Sequence, residues 1–526
     1  MRRTIFVETV SMNAEQLTRT LQDYLAQSSH AVVLEDGGLA FDFENARYSV
    51  SGGDSKCVLH LWSEERNSVR RVLDAEMRKD ALVLTVQKFG QARPAKLEIC
   101  RERDRRTTSA KKVARAAYQQ KLKRILQREM PGWKLERITT DMDLGRSFGP
   151  IYTRALIRRG QSAFAVLGLN EQELQASVDG ALTIGVLWFH HLREQQAPKC
   201  HVEGLKLFLP RGRTAIVRER MAHLNHSAAK WQLFSLEEST ETVEELDSAD
   251  RGNIDTRLVH CPGQDATRSR FAESIMRVLK FVPETEAVVV SAAEMSFRLH
   301  GLEFARARIG AAAGEFSFHN AERVTFGTGP NETELNHDTE AQFGELMQRL
   351  RKFRSPYAQK GNPLWRMVPE RWLESLVVRD VSRLDERLDP GCVYSQVPAF
   401  AAADRGMIDV LTSTREGRLA VIELKADEDI HLPMQGIDYW ARVAWHHDRG
   451  EFQRYGYFRG RELSEESPML MLVAPVLRMH PTTDTLFKYI SPKIDLSLVG
   501  LDERWREGVK VVFRKRRRAY PRICTD

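Results

Sequence analysis

The beginning of the chain is dominated by short runs in which apolar and polar residues alternate. The runs AVVLEDGGLAFDF and ALVLTVQKF have the period of two that half-buried strands show, and Gly and Asp turns bound them. Helical spacing of apolar residues occurs over residues 13–27. The pattern predicts an α+β module over residues 1–105.

One order of elements occurs twice further along the chain. Residues 106–234 give strands, a Gly turn, the apolar strand SAFAVLGLN and an apolar helix, and residues 356–526 repeat that order around RGMIDVLTSTREGRLAVIELKA. One interpretation is that the earlier region is a degenerate duplicate, with Gly168 and Asn170 in place of Glu423 and Lys425. The other is that strand–turn–strand units recur for packing reasons alone.

Two segments separate these regions. Residues 235–250, SLEESTETVEELDSAD, are acidic and rich in Ser and Thr, the composition of a linker. Residues 251–355 predict an α+β middle segment. A chain of 526 residues is also too long for a single core. We therefore predict an α/β (α+β) multidomain fold, in which smaller α+β segments precede a C-terminal mixed sheet flanked by helices.

Composition excludes several classes of protein. No window approaches eighteen uninterrupted apolar residues, and Glu8 interrupts the first apolar stretch, so neither a membrane span nor a secretory signal is expected. The six cysteines form no CxxC pair, which disfavours a zinc knuckle and indicates reduced thiols. We expect a cytoplasmic protein without a membrane partner.

A net charge of +7 favours a polyanionic partner. The basic residues concentrate in two stretches, residues 101–126 and the C-terminal FRKRRR, which includes Lys515, Arg516 and Arg517. Each stretch is either solvated surface or a set of phosphate contacts.

Three charged side chains interrupt the apolar strands near the C-terminus. Asp409 lies in one strand, and Glu423 and Lys425 lie two residues apart, on one face, in the next. Gly417 permits a hairpin turn that brings the charges together. Unpaired charges would be costly there. Carboxylate oxygens are the ligands that Mg²⁺ (or Mn²⁺) prefers, and an ammonium can stabilise developing negative charge. The pattern is therefore that of two candidate metal ligands with a basic group beside them.

Flanking segments add candidates. In the helix pattern PERWLESLV, Glu370 and Glu374 are four residues apart on one face, and either could reach the metal. The Leu424 backbone carbonyl is a further candidate ligand, and Gln435 in the following helix could orient Lys425 or a phosphate.

With Glu in the first helix, Asp in the second strand and Glu-x-Lys in the third, residues 365–526 resemble the PD-(D/E)XK nuclease superfamily, the restriction-endonuclease-like fold. The NucS-like and RecB-like branches are the most similar, and Gln435 with Tyr439 is similar to the Q-x3-Y element of the latter. Ile408 departs from the Pro of the superfamily motif.

The resemblance implies a Mg²⁺-dependent endonuclease acting on DNA in repair or defence, with RNA not excluded and a homodimer possible. It assigns Asp409, Glu423, Lys425, Glu374 and Gln435 to catalysis. The metal ligands would be Asp409, Glu423, Glu374 and the Leu424 carbonyl. Nucleic-acid contacts are assigned to Arg405, Tyr439, Lys515, Arg516 and Arg517. The alternative is a catalytically inactive nuclease fold that binds nucleic acid or serves as an interaction module. A chance match is a separate possibility, since a bare D-x13-E-x-K arises often in long chains.

Overall fold

The structure is a computed structural model. It describes residues 13–26, 31–35, 38–43, 46–53, 56–63, 67–78, 81–88, 94–100, 108–197, 199–250, 256–310, 321–327, 332–401 and 404–517. Contacts divide the chain into two units, Met1–Ala117 with Gly327–Glu332 and Tyr118–Phe326 with Thr333–Asp526. Helices alternate with mixed and antiparallel sheets, so the predicted α/β multidomain class is confirmed. Among the described residues, no helix has the length and apolarity needed to cross a bilayer.

The first unit is an antiparallel sheet packed against one helix. Its elements are α1 (Ala14–Ala26), β1 (Val32–Glu35), β2 (Gly38–Asp42), β3 (Arg47–Gly53), β4 (Lys56–Trp62), β5 (Asn67–Arg78), β6 (Ala81–Lys88) and β7 (Ala95–Cys100). The strand order is β2-β1-β7-β6-β5-β4-β3. Leu17, Leu21 and Tyr24 recur every three to four residues on α1 and bury their side chains in the core of this sheet.

The next region, which we call the N-half, is a six-stranded mixed sheet with helices on both faces. It comprises α2 (Thr108–Glu129), β8 (Lys134–Thr139), β9 (Thr153–Arg159), β10 (Ser162–Gly168), α3 (Gln175–Gln196), β11 (His201–Pro210), α4 (Ala215–Ala222), β12 (Lys230–Glu237) and β13 (Thr242–Leu246). The strand order is β13-β12-β11-β10-β9-β8.

A short strand and a small antiparallel sheet follow. The strand is β14 (Thr256–Leu258), and the small sheet has α5 (Gln264–Arg270), α6 (Ala272–Phe281), β15 (Glu286–Ser291), β16 (Glu294–Leu299), β17 (Leu302–Gly310), β18 (Ala321–Phe326), β19 (Thr333–Glu334) and α7 (Glu340–Phe353). Strands β15 to β19 are neighbours in sequence order. A four-residue helix, α8 (Pro363–Arg366), leads out of this region.

The last region, the C-half, carries the charged strands. It comprises α9 (Pro369–Arg379), β20 (Leu388–Ala401), β21 (Asp404–Thr414), β22 (Leu419–Leu424), α10 (Leu432–Asp448), α11 (Glu451–Arg454), β23 (Met469–Pro475), α12 (Thr483–Tyr489), β24 (Asp495–Leu501) and β25 (Val511–Arg517). The strand order is β14-β20-β21-β22-β23-β24-β25. The predicted succession of helix, three strands, helix and strand is confirmed, and Gly417 takes a φ of +86° in the β21–β22 turn.

The two halves have the same topology. In each, a helix precedes three antiparallel strands, a helix crosses to a parallel strand, a second helix crosses to another, and an antiparallel strand ends the sheet. A Cβ at Gly185 of α3 would lie 2.8 Å from Leu205 Cδ2, and one at Gly436 of α10 would lie 2.5 Å from Leu472 Cδ2. Both crossover helices therefore approach their sheets at a glycine.

The halves meet around an approximate two-fold axis. Leu224, after α4, forms an antiparallel bridge with Ile490, after α12. The flanking hydrogen bonds are symmetric: Asn225 N donates to Tyr489 O at 2.7 Å, and Ser491 N donates to His223 O at 2.8 Å. Helix α3 packs on α12 and α4 on α10, and one hydrophobic core includes residues of both halves.

One buried ion pair breaks this symmetry. Arg220 of α4 donates from Nε to Asp438 Oδ1 at 2.9 Å and from Nη2 to Oδ2 at 2.6 Å. Leu486 is the equivalent of Arg220, because each lies four residues before the bridge residue of its half. Leu187 is the equivalent of Asp438, because each lies two residues after the glycine of its crossover helix.

The predicted acidic linker at residues 235–250 is wrong. Strands β12 and β13 pair there as a hairpin at the edge of the N-half sheet. Its acids bind the basic helix α2: Lys121 Nζ lies 3.1 Å from Glu238 Oε2, and Arg124 Nη2 lies 2.5 Å from Glu241 Oε1. These ion pairs engage the end of the basic run within the protein, whereas residues 101–107 of that run lie outside the described residues.

Candidate active site

Two carboxylates face each other at the centre of the C-half sheet. The register Val410↔Ile422 continues to place Asp409 opposite Glu423. Glu423 is 2% exposed, and its carboxyl interacts with that of Asp409. Burial, then the charge of Asp409, raises the pKa of Glu423 well above its usual range, and burial raises the pKa of Asp409. The pair is strained when both groups are ionised.

Asp409 is fixed by two donors. Its Oδ2 accepts a hydrogen bond from the Leu424 backbone N at 3.0 Å, and its Oδ1 accepts one from Gln396 Nε2 at 3.3 Å. The Leu424 carbonyl, predicted as a ligand, belongs to the residue directly after Glu423 at the end of β22.

Gln396 is a site residue that our sequence analysis missed. It lies in β20 at the position facing Asp409, where the ladder skips one pair and the backbone takes a φ of +52°. A positive φ in a non-glycine residue inside a strand costs about 1–3 kcal/mol, and such strain concentrates at functional sites. The signal in the sequence was one amide among the mostly apolar residues of CVYSQVPAF.

Helix α9 contributes both of its predicted carboxylates. Glu374 is 5% exposed, and its Oε2 accepts hydrogen bonds from Gln396 Nε2 at 2.7 Å and Arg371 Nη1 at 3.0 Å. Burial raises the pKa of Glu374 to about 7. Glu370 is more exposed, and its Oε1 lies 3.9 Å from Lys425 Nζ. Glu374 therefore connects to Asp409 through Gln396, and Glu370 connects to the lysine.

The small sheet holds α9 in place. Pro369 begins the helix after Val368, whose φ is +38°. The Trp372 ring stacks on the ring of His300, which lies in the β16–β17 turn, with 4.9 Å between the ring centroids. The fully buried Arg354 lies over Trp372 at 4.5 Å and donates from Nη2 to His300 O at 2.8 Å. The carboxylates of α9 are thus positioned by a region that carries no part of the Asp-Glu-Lys motif.

Lys425 lies among acidic groups. Its Nζ is 3.7 Å from Glu423 Oε1 and 3.5 Å from Asp429 Oδ2. Burial alone would lower the pKa of Lys425, but Glu423, Glu370 and Asp429 outweigh it and raise that pKa. The side chain is 15% exposed, so its ammonium stays charged and can reach a ligand.

Helix α10 brings its predicted residues to different contacts. Burial, then the nearby Glu423 and Asp409 carboxyls, raises the pKa of Tyr439, so the phenol stays neutral. The buried Gln435 Oε1 has no hydrogen-bond partner among the residues that the structure describes. Within the described part of the chain, Gln435 Oε1 therefore accepts no hydrogen bond from Lys425, one of the two partners predicted for it.

The predicted nucleic-acid residues at the C-terminus are engaged within the C-half. Lys515 Nζ lies 2.8 Å from Asp484 Oδ1, and Arg516 Nη2 lies 3.0 Å from Asp495 Oδ2. Arg517 donates to the carbonyls of Phe487, Ile490 and Ser491. These contacts anchor β25, which is three strands from β22, so the structure does not bring them to the carboxylates. The side chain of Arg405 lies outside the described part.

A divalent cation fits the two facing carboxylates. Glu423 Oε2 is buried without a hydrogen-bond partner in the described part of the chain, and a cation would relieve the repulsion that raises both pKa values. Mg²⁺ is commonly held by one or two carboxylates and keeps several waters. Across the described ranges, no three His, Cys, Asp or Glu side chains are grouped to enclose a metal. An ion held there by Asp409 and Glu423 alone would keep several of its waters.

The N-half has other residues at the positions equivalent to the C-half carboxylates and lysine. The predicted alignment of the two halves was wrong by one residue. Leu472 pairs with Glu423 beside Gly436, and Leu207 pairs with Leu167 beside Gly185. The equivalent of Glu423 is therefore Leu167 and not Gly168. Lys425 then corresponds to Leu169 and not to Asn170. Arg154, which pairs with Leu167, takes the place of Asp409.

No protein-family model matches the chain, and no curated protein matches it. One solved structure, described as "Structure of EndoMS-dsDNA2 complex", is 12% identical and covers 44% of this chain and 98% of that chain, with a TM-score of 0.18. A TM-score this low carries no argument about fold or activity, so the functional argument rests on the geometry above.

Proposed function

We propose that the protein is a metal-dependent endonuclease that hydrolyses phosphodiester bonds in DNA, with its catalytic site in the C-half. The observation that carries the proposal is the convergence of Asp409, Glu423 and Lys425 in a largely buried site, with Glu374 linked to them through Gln396. Two carboxylates and one ammonium around a small volume are the groups that phosphodiester hydrolysis needs.

Each side chain has a distinct role in this proposal. Asp409 and Glu423 hold the cation, which when bound supplies an activated water and neutralises charge on the phosphate. Gln396 fixes the orientation of Asp409 and draws Glu374 towards it. Lys425 cannot bind a cation, so its ammonium acts on the attacking water or the phosphate.

The alternative is a nuclease fold that binds nucleic acid without cutting it. Against it, a buried unpartnered carboxylate oxygen beside a second carboxylate is costly unless something binds there.

The test is a cleavage assay on labelled duplex, single-stranded, mismatched and branched DNA and on RNA, with Mg²⁺, Mn²⁺ or EDTA. We expect DNA cleavage with either metal and none in EDTA. Glu423→Gln should remove it, whereas Glu345→Gln, an exposed carboxylate of α7, should not. Absence of cleavage of every substrate, with binding retained, would establish the alternative.

A further inference from the structure

The N-half has a cavity at the position where the C-half has its carboxylates. The cavity has a volume of about 520 Å³. Thr139, on β8, and Arg154, on β9, are paired neighbours that line it, and they are the equivalents of Gln396 and Asp409. Trp188, three residues after Gly185, also lines it and is the equivalent of Tyr439. The cavity therefore lies at the corner of the N-half that is equivalent to the carboxylate site of the C-half.

A buried arginine replaces the catalytic aspartate in this cavity. Arg154 is 2% exposed, and its guanidinium lies 4.9 Å from the ring centroid of Phe148 and 5.7 Å from that of Trp188. Its Nη2 donates to the Asp141 carbonyl, while its buried Nε has no hydrogen-bond partner in the described residues. A buried guanidinium N–H without an acceptor is costly, and an anionic oxygen in the cavity would satisfy it.

The other charges of the cavity are mixed but mainly positive. Arg137 and Arg146 line it with His191, and both arginines are exposed. Two acids are present: Asp143 accepts from Arg146 Nη1 at 2.7 Å, and Asp141 accepts from Thr139 Oγ1 at 2.7 Å. With three guanidinium groups against two carboxylates, the cavity can bind a single anion, whereas the C-half site attracts a cation.

The two sites are connected by a short path of side chains. Ser147, on the loop that follows Arg146, lies with its Oγ 3.3 Å from His480 Nε2. The same His480 Nε2 lies 3.7 Å from Glu428 Oε1, in the loop between Lys425 and α10. His480 therefore joins the loop beside the N-half cavity to the loop that follows Lys425.

We propose that the N-half is an inactive copy of the catalytic half whose cavity binds a backbone phosphate of the nucleic acid cut in the C-half. This deepens the proposed function and rests on it for the nature of the polymer. A guanidinium in place of the aspartate removes the cation site and supplies phosphate donors instead, so the cavity holds a phosphodiester without hydrolysing it. Each chain then has a single cutting centre and cleaves one strand per binding event.

The test measures binding without cleavage. Affinity of the full chain for a labelled duplex and for a labelled single strand is measured in EDTA, for wild type and for Arg137→Gln, Arg146→Gln and Arg154→Leu. We expect each variant to bind about tenfold or more weakly, the scale of losing one charged hydrogen bond. The slope of log K against log salt should fall by about 0.9 on duplex and about 0.7 on single strands.

Arg349→Gln, on the exposed face of α7, is the matched control and should bind as wild type does. Arg137 is exposed, so its variant tests the cavity even if Arg154→Leu fails to fold. Wild-type affinity and salt slope for Arg137→Gln and Arg146→Gln would overturn the proposal. So would a mononucleotide or inorganic phosphate that competes at lower concentration than a DNA strand of equal phosphate count, since the cavity would then serve a free ligand.

The outcomes also separate the two proposals. A protein that cleaves DNA but is indifferent to the cavity variants contradicts the phosphate site alone. A protein that binds through the cavity but never cleaves contradicts the nuclease alone.

Discussion

The N-half and the C-half have one topology, but their side chains have opposite charge at one equivalent position. At equivalent positions of the second strand, the C-half has Asp409 and the N-half has Arg154, and Glu423 corresponds to Leu167. The fold is maintained in both halves by the same features, a glycine where the crossover helix meets the sheet and a strand buried on both faces. The architecture therefore does not dictate the chemistry, which depends on a few side chains in one corner.

The largest expected effect is on the cleavage rate, when Asp409 or Glu423, the carboxylates that the N-half lacks, is replaced. Asp409→Asn and Glu423→Gln should each lower the cleavage rate by at least about 10²–10³-fold, the scale of losing one preorganised electrostatic group. Leu167→Met, a change of similar volume at the position equivalent to Glu423, should leave the rate unchanged. Single-turnover cleavage assays on proteins with matched circular dichroism check this. Wild-type cutting by a folded Asp409→Asn protein would refute the site.

The buried ion pair tests the contact between the halves. Asp438→Leu leaves the Arg220 guanidinium buried without its carboxylate, so the free energy of unfolding should fall by about 3–5 kcal/mol. The double variant Arg220→Leu/Asp438→Leu makes this contact resemble its symmetric equivalent, and it should recover most of the loss. Denaturant titration of the two variants and wild type checks this. A double variant less stable than Asp438→Leu would show that the two equivalent contacts differ in more than charge.

Lys425 sharpens the comparison because its equivalent, Leu169, is apolar. Lys425→Met should lower the cleavage rate by about 10², since it removes one electrostatic stabiliser but no cation ligand. Metal affinity, measured by calorimetry, should stay equal or tighten because a positive charge near the cation is lost. Loss of metal binding in this variant would instead mean that the lysine holds the carboxylates together.

The smallest expected effect is on stability in EDTA. The pKa of Glu423 is raised by burial and by Asp409, so its ionisation in the folded state costs stability as pH rises above the unfolded value. Glu423→Gln should therefore melt a few degrees above wild type at neutral pH, with a smaller difference near pH 5. Mg²⁺ should raise the melting temperature of wild type more than that of the variant. A variant that melts lower at every pH would contradict this account.

The local pattern of apolar and polar residues predicted the helices and strands better than it predicted which segments contact each other. The Asp-Glu-Lys convergence could be inferred because charged residues inside apolar strands are costly and Gly417 fixes the hairpin. The register of the N-half could not be inferred, because SAFAVLGLN is buried on both faces and has no alternation to mark the inner side. The acidic hairpin was mistaken for a linker because its partner is α2, more than one hundred residues earlier.

Gln396 and the support of α9 illustrate a second limit. The strained backbone at Gln396 is set by the strands around it, and composition gives no sign of a positive φ in a strand. The contact of Trp372 with His300 and Arg354 joins α9 to the middle segment, residues 251–355, in which our sequence analysis named no candidate site residue.

The symmetric bridge between Leu224 and Ile490 has a consequence for how the sequences of the two halves can diverge. In an assembly of identical subunits, every substitution appears on both sides of the axis at once, so an Arg in place of this Asp would remove the carboxylate from both sites. Here both sides of the axis are encoded separately within one chain, and each can vary alone. Covalent linkage thus allows Arg154 to coexist with Asp409. It also allows the ion pair of Arg220 with Asp438 to have leucines at its symmetry-equivalent positions.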